Sequence, residues 1–284
     1  MNRTDQPGTL YLVPTPIGNR LDISCRAVET LERVSLIAAE DTRETARLLR
    51  ELGVAKRLIS YHDHNERQRA PWLLERLMAG DDIALVSDAG TPLLADPGFR
   101  LVSLAAAEGI RISSLPGPSA AITALVASGL ATDRFYFAGF LPRRQSQRLA
   151  AIRELRDQRC TLVFYEAPHR LIAALEDLET ILGSREAVVG WNMTKEAERY
   201  FRGSLAGLRA EFASWEYVHG EITLIVAAAG VQDDAEQWPK AERAIRVLLE
   251  AGLDHRTILR LAGELFELPK RQLYRRVLAL AQRR

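Results

Sequence analysis

Short apolar runs recur along the first third of the chain, each followed by a polar turn and then by a stretch of helical periodicity. The sharpest run, Ile-Ala-Leu-Val at 83–86, has the length and composition of a strand buried on both faces of a parallel sheet. Segments at 9–13, 35–39, 58–60 and 111–115 read as four more strands. Helical periodicity begins after Ser24, after Arg43, near Glu66 and at Pro97, and Gly53 and Gly109 follow two of these segments as C-terminal stops. Asp96 and Pro97 read as the N-cap and first helical position of the fourth helix. Strands alternating with helices over residues 1–117 imply a mostly parallel α/β domain.

The pattern then changes. A helix rich in small residues is predicted at 119–128, and strands at 135–140, 161–165, 187–192, 200–203 and 222–228, which together imply a mixed sheet. Residues 231–237 are polar and acidic, as a linker would be. Beyond them 240–250, 256–266 and a segment near Arg271 carry helical periodicity. The expected organisation is therefore an α/β domain over 1–117, a second α/β domain over 118–231 and a small helical module over 239–284. There is no internal repeat and no low-complexity segment.

Composition narrows the class. The 284 residues are 47% hydrophobic and 26% charged, as in a soluble globular protein of about two domains. No apolar run reaches the roughly 18 residues of a membrane span. Residues 1–8 are polar and carry no apolar signal core. Two distant cysteines, Cys25 and Cys160, fit a reducing cytosol and form no metal-ligand spacing. The net charge of +1 hides an asymmetry: residues 240–284 hold 11 Lys and Arg against 5 Asp and Glu, net +6, and the rest of the chain is net −5. A basic tail on an acidic body signals an acidic partner or merely solvated helix faces.

The candidate chemistry sits at strand ends. After the 83–86 strand come Ser87, Asp88, Ala89, Gly90, Thr91 and Pro92, and open α/β sheets bind ligands at the carboxyl ends of their strands. Gly90 permits close backbone approach, and Asp88 accepts hydrogen bonds from a hydroxyl or amine. An ordinary βα turn would use the same residues. Nucleotide-binding glycine loops and a Gly-x-Ser-x-Gly elbow are absent, and neither cysteine has a local histidine partner. His62 and His64 have no clear third ligand nearby, so no metal is expected.

Six motifs, in order, carry a resemblance: Val13 to Asn19 (Val-Pro-Thr-Pro-Ile-Gly-Asn), Ala39 to Arg43 (Ala-Glu-Asp-Thr-Arg), Ser87 to Pro92, Leu115 to Ser119, Phe164 to Arg170, and Thr194-Lys195-Glu196. Together they resemble the tetrapyrrole-methylase superfamily over residues 9–230, and within it the branch that methylates a cytidine 2′-hydroxyl in the decoding region of 16S rRNA. Members acting on tetrapyrrole rings usually carry a glycine-rich first loop and Gly-Asp-Pro in the central loop. Here those loops read Pro-Thr-Pro-Ile-Gly and Asp-Ala-Gly-Thr-Pro, which argues against a porphyrin substrate.

The resemblance implies a two-domain tetrapyrrole-methylase-like α/β fold with S-adenosylmethionine folded into the cleft between domains. It also implies a cytoplasmic homodimer acting on 16S rRNA or the 30S subunit, without a metal. The cofactor residues it implies are Pro14, Ser87, Asp88, Ala89, Gly90, Ser119, Ala120, Tyr165, Glu166 and Ala167. A ribose hydroxyl gains from a nearby base or from a lysine that favours the alkoxide. Asp41, Lys195 and Glu196 are the candidates, and a structural salt-bridge set at the domain junction is the alternative. Arg43, Arg143, Arg144, Arg148, Arg271 and Arg275 are the expected RNA contacts. Two other functions stay open: a small-molecule methylase of the same fold, and a non-catalytic RNA-binding protein.

Overall fold

The alternation of strands and helices folds into two five-stranded sheets followed by three helices; the computed structural model describes residues 6–229, 233–266 and 270–281. The first sheet takes β1 (Thr9–Leu12), β2 (Leu36–Ala39), β3 (Leu58–Ser60), β4 (Ile83–Val86) and β5 (Arg111–Ser114) in the order β3-β2-β4-β1-β5, and every pairing is parallel. Its connections are α1 (Cys25–Arg33), α2 (Thr42–Glu51), α3 (Glu66–Met78) and α4 (Phe99–Ala107). Alternate residues of β4 feed opposite faces. Ile83 and Leu85 pack under α3 and α4 with Leu73, Leu77 and Leu101, whereas Ala84 and Val86 join Leu31, Ile37 and Leu49 on the other side. Burial on both faces is why β2 and β4 read as continuous apolar runs.

The fourth helix starts later than Asp96 and Pro97 suggest. Its first residue is Phe99, and Gly98 precedes it at φ +140°, where a side chain would press on Leu85 and Leu93. Leu93 and Ala95 both take positive φ in the preceding loop, so the chain turns twice before the helix. Asp96 is thereby released from capping and faces a cavity.

The second half contributes α5 (Ala120–Ser128), β6 (Phe135–Phe140), α6 (Gln145–Glu154), β7 (Thr161–Glu166), α7 (Leu171–Leu182), β8 (Glu186–Trp191), β9 (Arg199–Ser204), α8 (Leu205–Ala213) and β10 (Ile222–Val226). The sheet order is β6-β7-β10-β8-β9; β6 pairs parallel with β7 and all other pairs are antiparallel. One face packs on α6, α7 and α8 through Phe164, Leu175, Leu178 and Phe212; the other packs on α5 through Val163, Val188 and Ile225. Helices α9 (Asp233–Glu250), α10 (His255–Phe266) and α11 (Lys270–Ala281) close on a core of their own around Ile245, Ile258, Leu273 and Val277. The linker expected at 231–237 is helical from Asp233. No helix among the described residues is long and apolar enough to cross a membrane.

Arg148 is a correction to the expected RNA contacts. It is 6% exposed, and its Nε donates to Asp177 Oδ2 at 2.6 Å while Nη1 reaches the Arg143 carbonyl at 3.2 Å. It ties α6 to α7 and offers nothing to solvent. Removing one partner of a buried pair strands the other charge. Arg148→Met should therefore cost about 3 kcal/mol or more in urea unfolding, and leave RNA affinity unchanged in the folded fraction.

Candidate active site

The site is built on loops at the carboxyl ends of β1, β2 and β4. β1 and β4 are neighbours, and the loops after them join in a single bridge. Thr15 N–H donates to Gly90 O at 2.9 Å and Gly90 N–H returns to Thr15 O at 3.0 Å. Thr15 Oγ1 adds a bond to Ser87 O at 3.1 Å. Gly90 sits at φ +82°, where a Cβ would also lie 3.3 Å from Ile17 Cγ2. This position needs glycine for conformation and for room.

Around this bridge the two sheets enclose a cavity of about 460 Å³. Ile17, Leu94, Ala95, Ala120, Phe140, Met193 and Ile222 give it an apolar wall, and Glu40, Asp88 and Asp96 gather at its edge. Burial, then the charges of Asp96 and Asp88, push the Glu40 carboxyl up to about 7. Asp96 is pushed up to about 6, mainly by burial. Asp88 Oδ1 accepts the Asp41 N–H at 2.9 Å, which fixes the β4 loop against the start of α2.

A second cavity, also about 460 Å³, adjoins the first, and Ile17, Asp88, Ala89 and Glu221 line both. Arg20, Arg47 and Lys195 face it, with Thr15, Thr45 and Ser87 among its lining hydroxyls. Lys195 Nζ donates to Glu221 Oε1 at 2.6 Å. The turn carrying Lys195 is strained, since Asn192 and Thr194 have φ of +49° and +65°. Surrounding bonds impose that conformation: Glu221 N–H to Asn192 Oδ1 at 3.0 Å, Thr194 N–H to Glu198 Oε2 at 2.6 Å, and Asn19 N–H to Thr194 Oγ1 at 3.0 Å. Non-glycine strain held by many contacts collects at functional sites.

Of the residues named for the cofactor, Asp88, Ala89, Ala120, Tyr165 and Glu166 line the first cavity, and Ser87 lines the second. Pro14, Gly90, Ser119 and Ala167 line neither. Pro14 and Gly117 abut so closely that a Cβ on Gly117 would fall 2.7 Å from Pro14 Cβ, and Ser119 precedes α5. Glu166 is 3% exposed; its Oε1 accepts the Ala167 N–H at 2.8 Å and lies 3.4 Å from Arg170 Nε. Burial raises the pKa of both Glu166 and Tyr165.

Of the catalytic candidates, Lys195 lines the second cavity, and Asp41 lines neither of the two. Asp41 caps α2 and is gripped by Arg43, with Nη2 to Oδ2 at 2.7 Å, so its carboxyl is held down at about 2. Glu196 is exposed and lines neither cavity. Its neighbour Glu198 supplies the carboxylate that holds the turn. Arg143, Arg144 and Arg275 are exposed, and Arg43 is exposed while bonded to Asp41. The side chain of Arg271 lies outside the described residues. Glu40, Asp96, Met193 and Glu221 were missed. Glu40 stands beside Asp41 in a quoted motif, but which of two adjacent acids turns inward depends on which one caps the helix.

The sequence model of the Tetrapyrrole (Corrin/Porphyrin) Methylases matches residues 9–209. A curated relative from Micromonospora olivasterospora named "Ribosomal RNA small subunit methyltransferase I" is 45% identical over 276 residues, covering 97% of this chain and 88% of its own. A relative of the same name from Escherichia coli O157:H7 is 46% identical over 270 residues, covering 94% of each. Among solved structures, uroporphyrin-III C-methyltransferase from Thermus thermophilus, complexed with S-adenosylhomocysteine, superposes with a TM-score of 0.53 at 20% identity. That match covers 78% of this chain and 97% of the other.

The raised carboxyl of Glu40 makes a stability prediction. Between its ordinary value near 4.5 and about 7, the folded state binds a proton that the unfolded state has lost. Folding stability from this group is therefore greatest at low pH and falls as pH rises through that window. Glu40→Gln removes the fall, so chemical denaturation should show the variant gaining on wild type at pH 8 relative to pH 5.

Proposed function

The chain belongs to the tetrapyrrole-methylase family and, within it, to the group of ribosomal RNA small subunit methyltransferase I; from that premise we propose that it methylates the 2′-hydroxyl of a cytidine in the decoding region of 16S rRNA, using S-adenosylmethionine. The observation that carries this reading is the paired cavity. One chamber is apolar with a carboxylate edge, the other is polar with cations, and they share a wall. Two reactants that exchange a methyl need sites that touch.

The first cavity fits the cofactor. Its volume lies within the range of about 300–1,000 Å³ that small-molecule sites occupy. The walls of Ile17, Leu94, Phe140 and Met193 suit an adenosine, and the carboxylates of Asp88, Glu40 and Asp96 suit a cation. S-adenosylmethionine, when bound there, supplies an electrophilic methyl on a sulfonium. What the chain itself must do is hold the acceptor oxygen in line and remove its proton.

Lys195 and Glu221 stand where that work is needed. The Lys195 ammonium favours the negative oxygen, and Glu221, lining both cavities, is placed to receive the hydroxyl proton. Asp41 is set apart from Glu221 by position: it lines neither cavity, and its carboxylate caps α2 and is turned to Arg43. The exposed Arg143, Arg144 and Arg275, with the basic terminal helices, meet phosphates of 16S rRNA or the 30S subunit. We place the enzyme in the cytoplasm as a homodimer. The names of the curated relatives favour this reading over a small-molecule methylase, and the paired cavity favours it over a non-catalytic RNA-binding protein.

The test is to map ribose methylation across 16S rRNA with and without the protein, expecting one cytidine to respond. In single-turnover assays Lys195→Ala should lower the rate by about 100-fold or more while keeping cofactor affinity, the scale of general acid–base assistance. Asp41→Ala should cost much less. Equal losses in the two variants, or methylation of a base instead of a ribose, would contradict the assignment.

A further inference from the structure

The second cavity has features that a mere gap between domains would not need. Its wall is firm: Thr15, Thr45 and Ser87 line it, are 2%, 4% and 2% exposed, and Thr15 Oγ1 is bonded to Ser87 O at 3.1 Å. It adjoins the first cavity along Asp88, Ala89 and Glu221, which border both. Lys195 is held at that boundary by a strained turn bonded to Asn19 on one side and Glu221 on the other.

Two exposed guanidinium groups line it. Arg20 follows the β1 loop and pairs with Glu51 of α2 at 3.2 Å; Arg47 on α2 pairs with Glu44 at 2.9 Å. Both arginine side chains are 68% exposed, and exposed pairs of this kind contribute little, about 0–1 kcal/mol. Such partners keep a guanidinium extended and near its post, yet yield it to a phosphate that offers two oxygens in a bidentate fit.

We propose that the second cavity seats the acceptor nucleotide, with Arg20 and Arg47 holding the backbone phosphates on either side of it and Lys195 facing its ribose. This rests on the proposed RNA substrate and deepens it by assigning the acceptor's site. Glu44 and Glu51 then act as exchangeable counter-ions that occupy the arginines until RNA arrives.

The experiment measures binding of 16S rRNA to the full-length protein over a salt series, with cofactor affinity followed separately by calorimetry. Arg20→Ala and Arg47→Ala should each weaken RNA binding about tenfold, as loss of a charge-assisted contact does. Each should also flatten the slope of log affinity against log salt by about 0.7. Cofactor affinity should not change. Glu44→Gln and Glu51→Gln should act in the opposite direction and strengthen RNA binding, because they free the arginines; a purely structural ion pair would give no gain. A double arginine variant with wild-type affinity and slope, or glutamine variants that bind RNA no better, would overturn the proposal. Because the readout is binding, failure of methyl transfer in the wild type would count against the proposed reaction and leave this test its own result.

Discussion

Two backbone hydrogen bonds between Thr15 and Gly90 hold the site together, and most of its geometry follows from them. They join the loops that leave neighbouring strands β1 and β4, which would otherwise be free to splay. With the loops joined, Ile17 is directed into both cavities, and Gly18 comes so close to the 192–195 turn that a Cβ there would lie 2.7 Å from Thr194 Oγ1. Asn19 completes the connection by donating to Thr194. A constraint inside the first sheet is thus passed to the second, and Lys195 and Glu221 take their places from it.

The same arrangement costs stability. Glu40, Asp88 and Asp96 crowd one edge of the first cavity, and burial together with the neighbouring carboxylates pushes Glu40 up to about 7 and Asp96 up to about 6. Leu93, Ala95, Asn192 and Thr194 hold positive φ without the freedom of glycine. Strain and unfavourable charge concentrated on loops, over rigid buried sheets, is the usual division between scaffold and site. A cationic ligand relieves the carboxylate repulsion, so the cleft is arranged to be more comfortable filled than empty.

Much of the fold was legible because its central strands are buried on both faces. Ile83 to Val86 and Leu36 to Ala39 are continuous apolar runs that fit a parallel sheet and little else. Helix α6 was harder to see, since Gln145–Glu154 buries only Arg148 and Ile152 and shows no apolar stripe. Arg148 misled for the same reason: a basic residue in a polar run looks solvated until its partner, Asp177, arrives from a helix 29 residues on. Within the site, the loops were legible and the inward-facing side chains were not. Asp41 and Glu40 differ only in which one caps α2, and Asp96 resembles a cap until Leu93 and Ala95 turn the chain. Glu221 carries no local motif; it reaches the cleft because β10 lies between β7 and β8.

With S-adenosylmethionine in the first cavity, as proposed, the carboxylates of Glu40 and Asp96 should select for its cationic sulfur. S-adenosylmethionine and S-adenosylhomocysteine share the adenosine and the amino-acid tail, and differ in the methyl and in the charge on sulfur. The direct measurement is the ratio of their affinities by calorimetry from pH 5 to pH 8. As Asp96 and Glu40 ionise near 6 and 7, the preference for the sulfonium should rise with pH, and Glu40→Gln should flatten the upper part of that rise. A ratio that stays constant across this range would contradict the account.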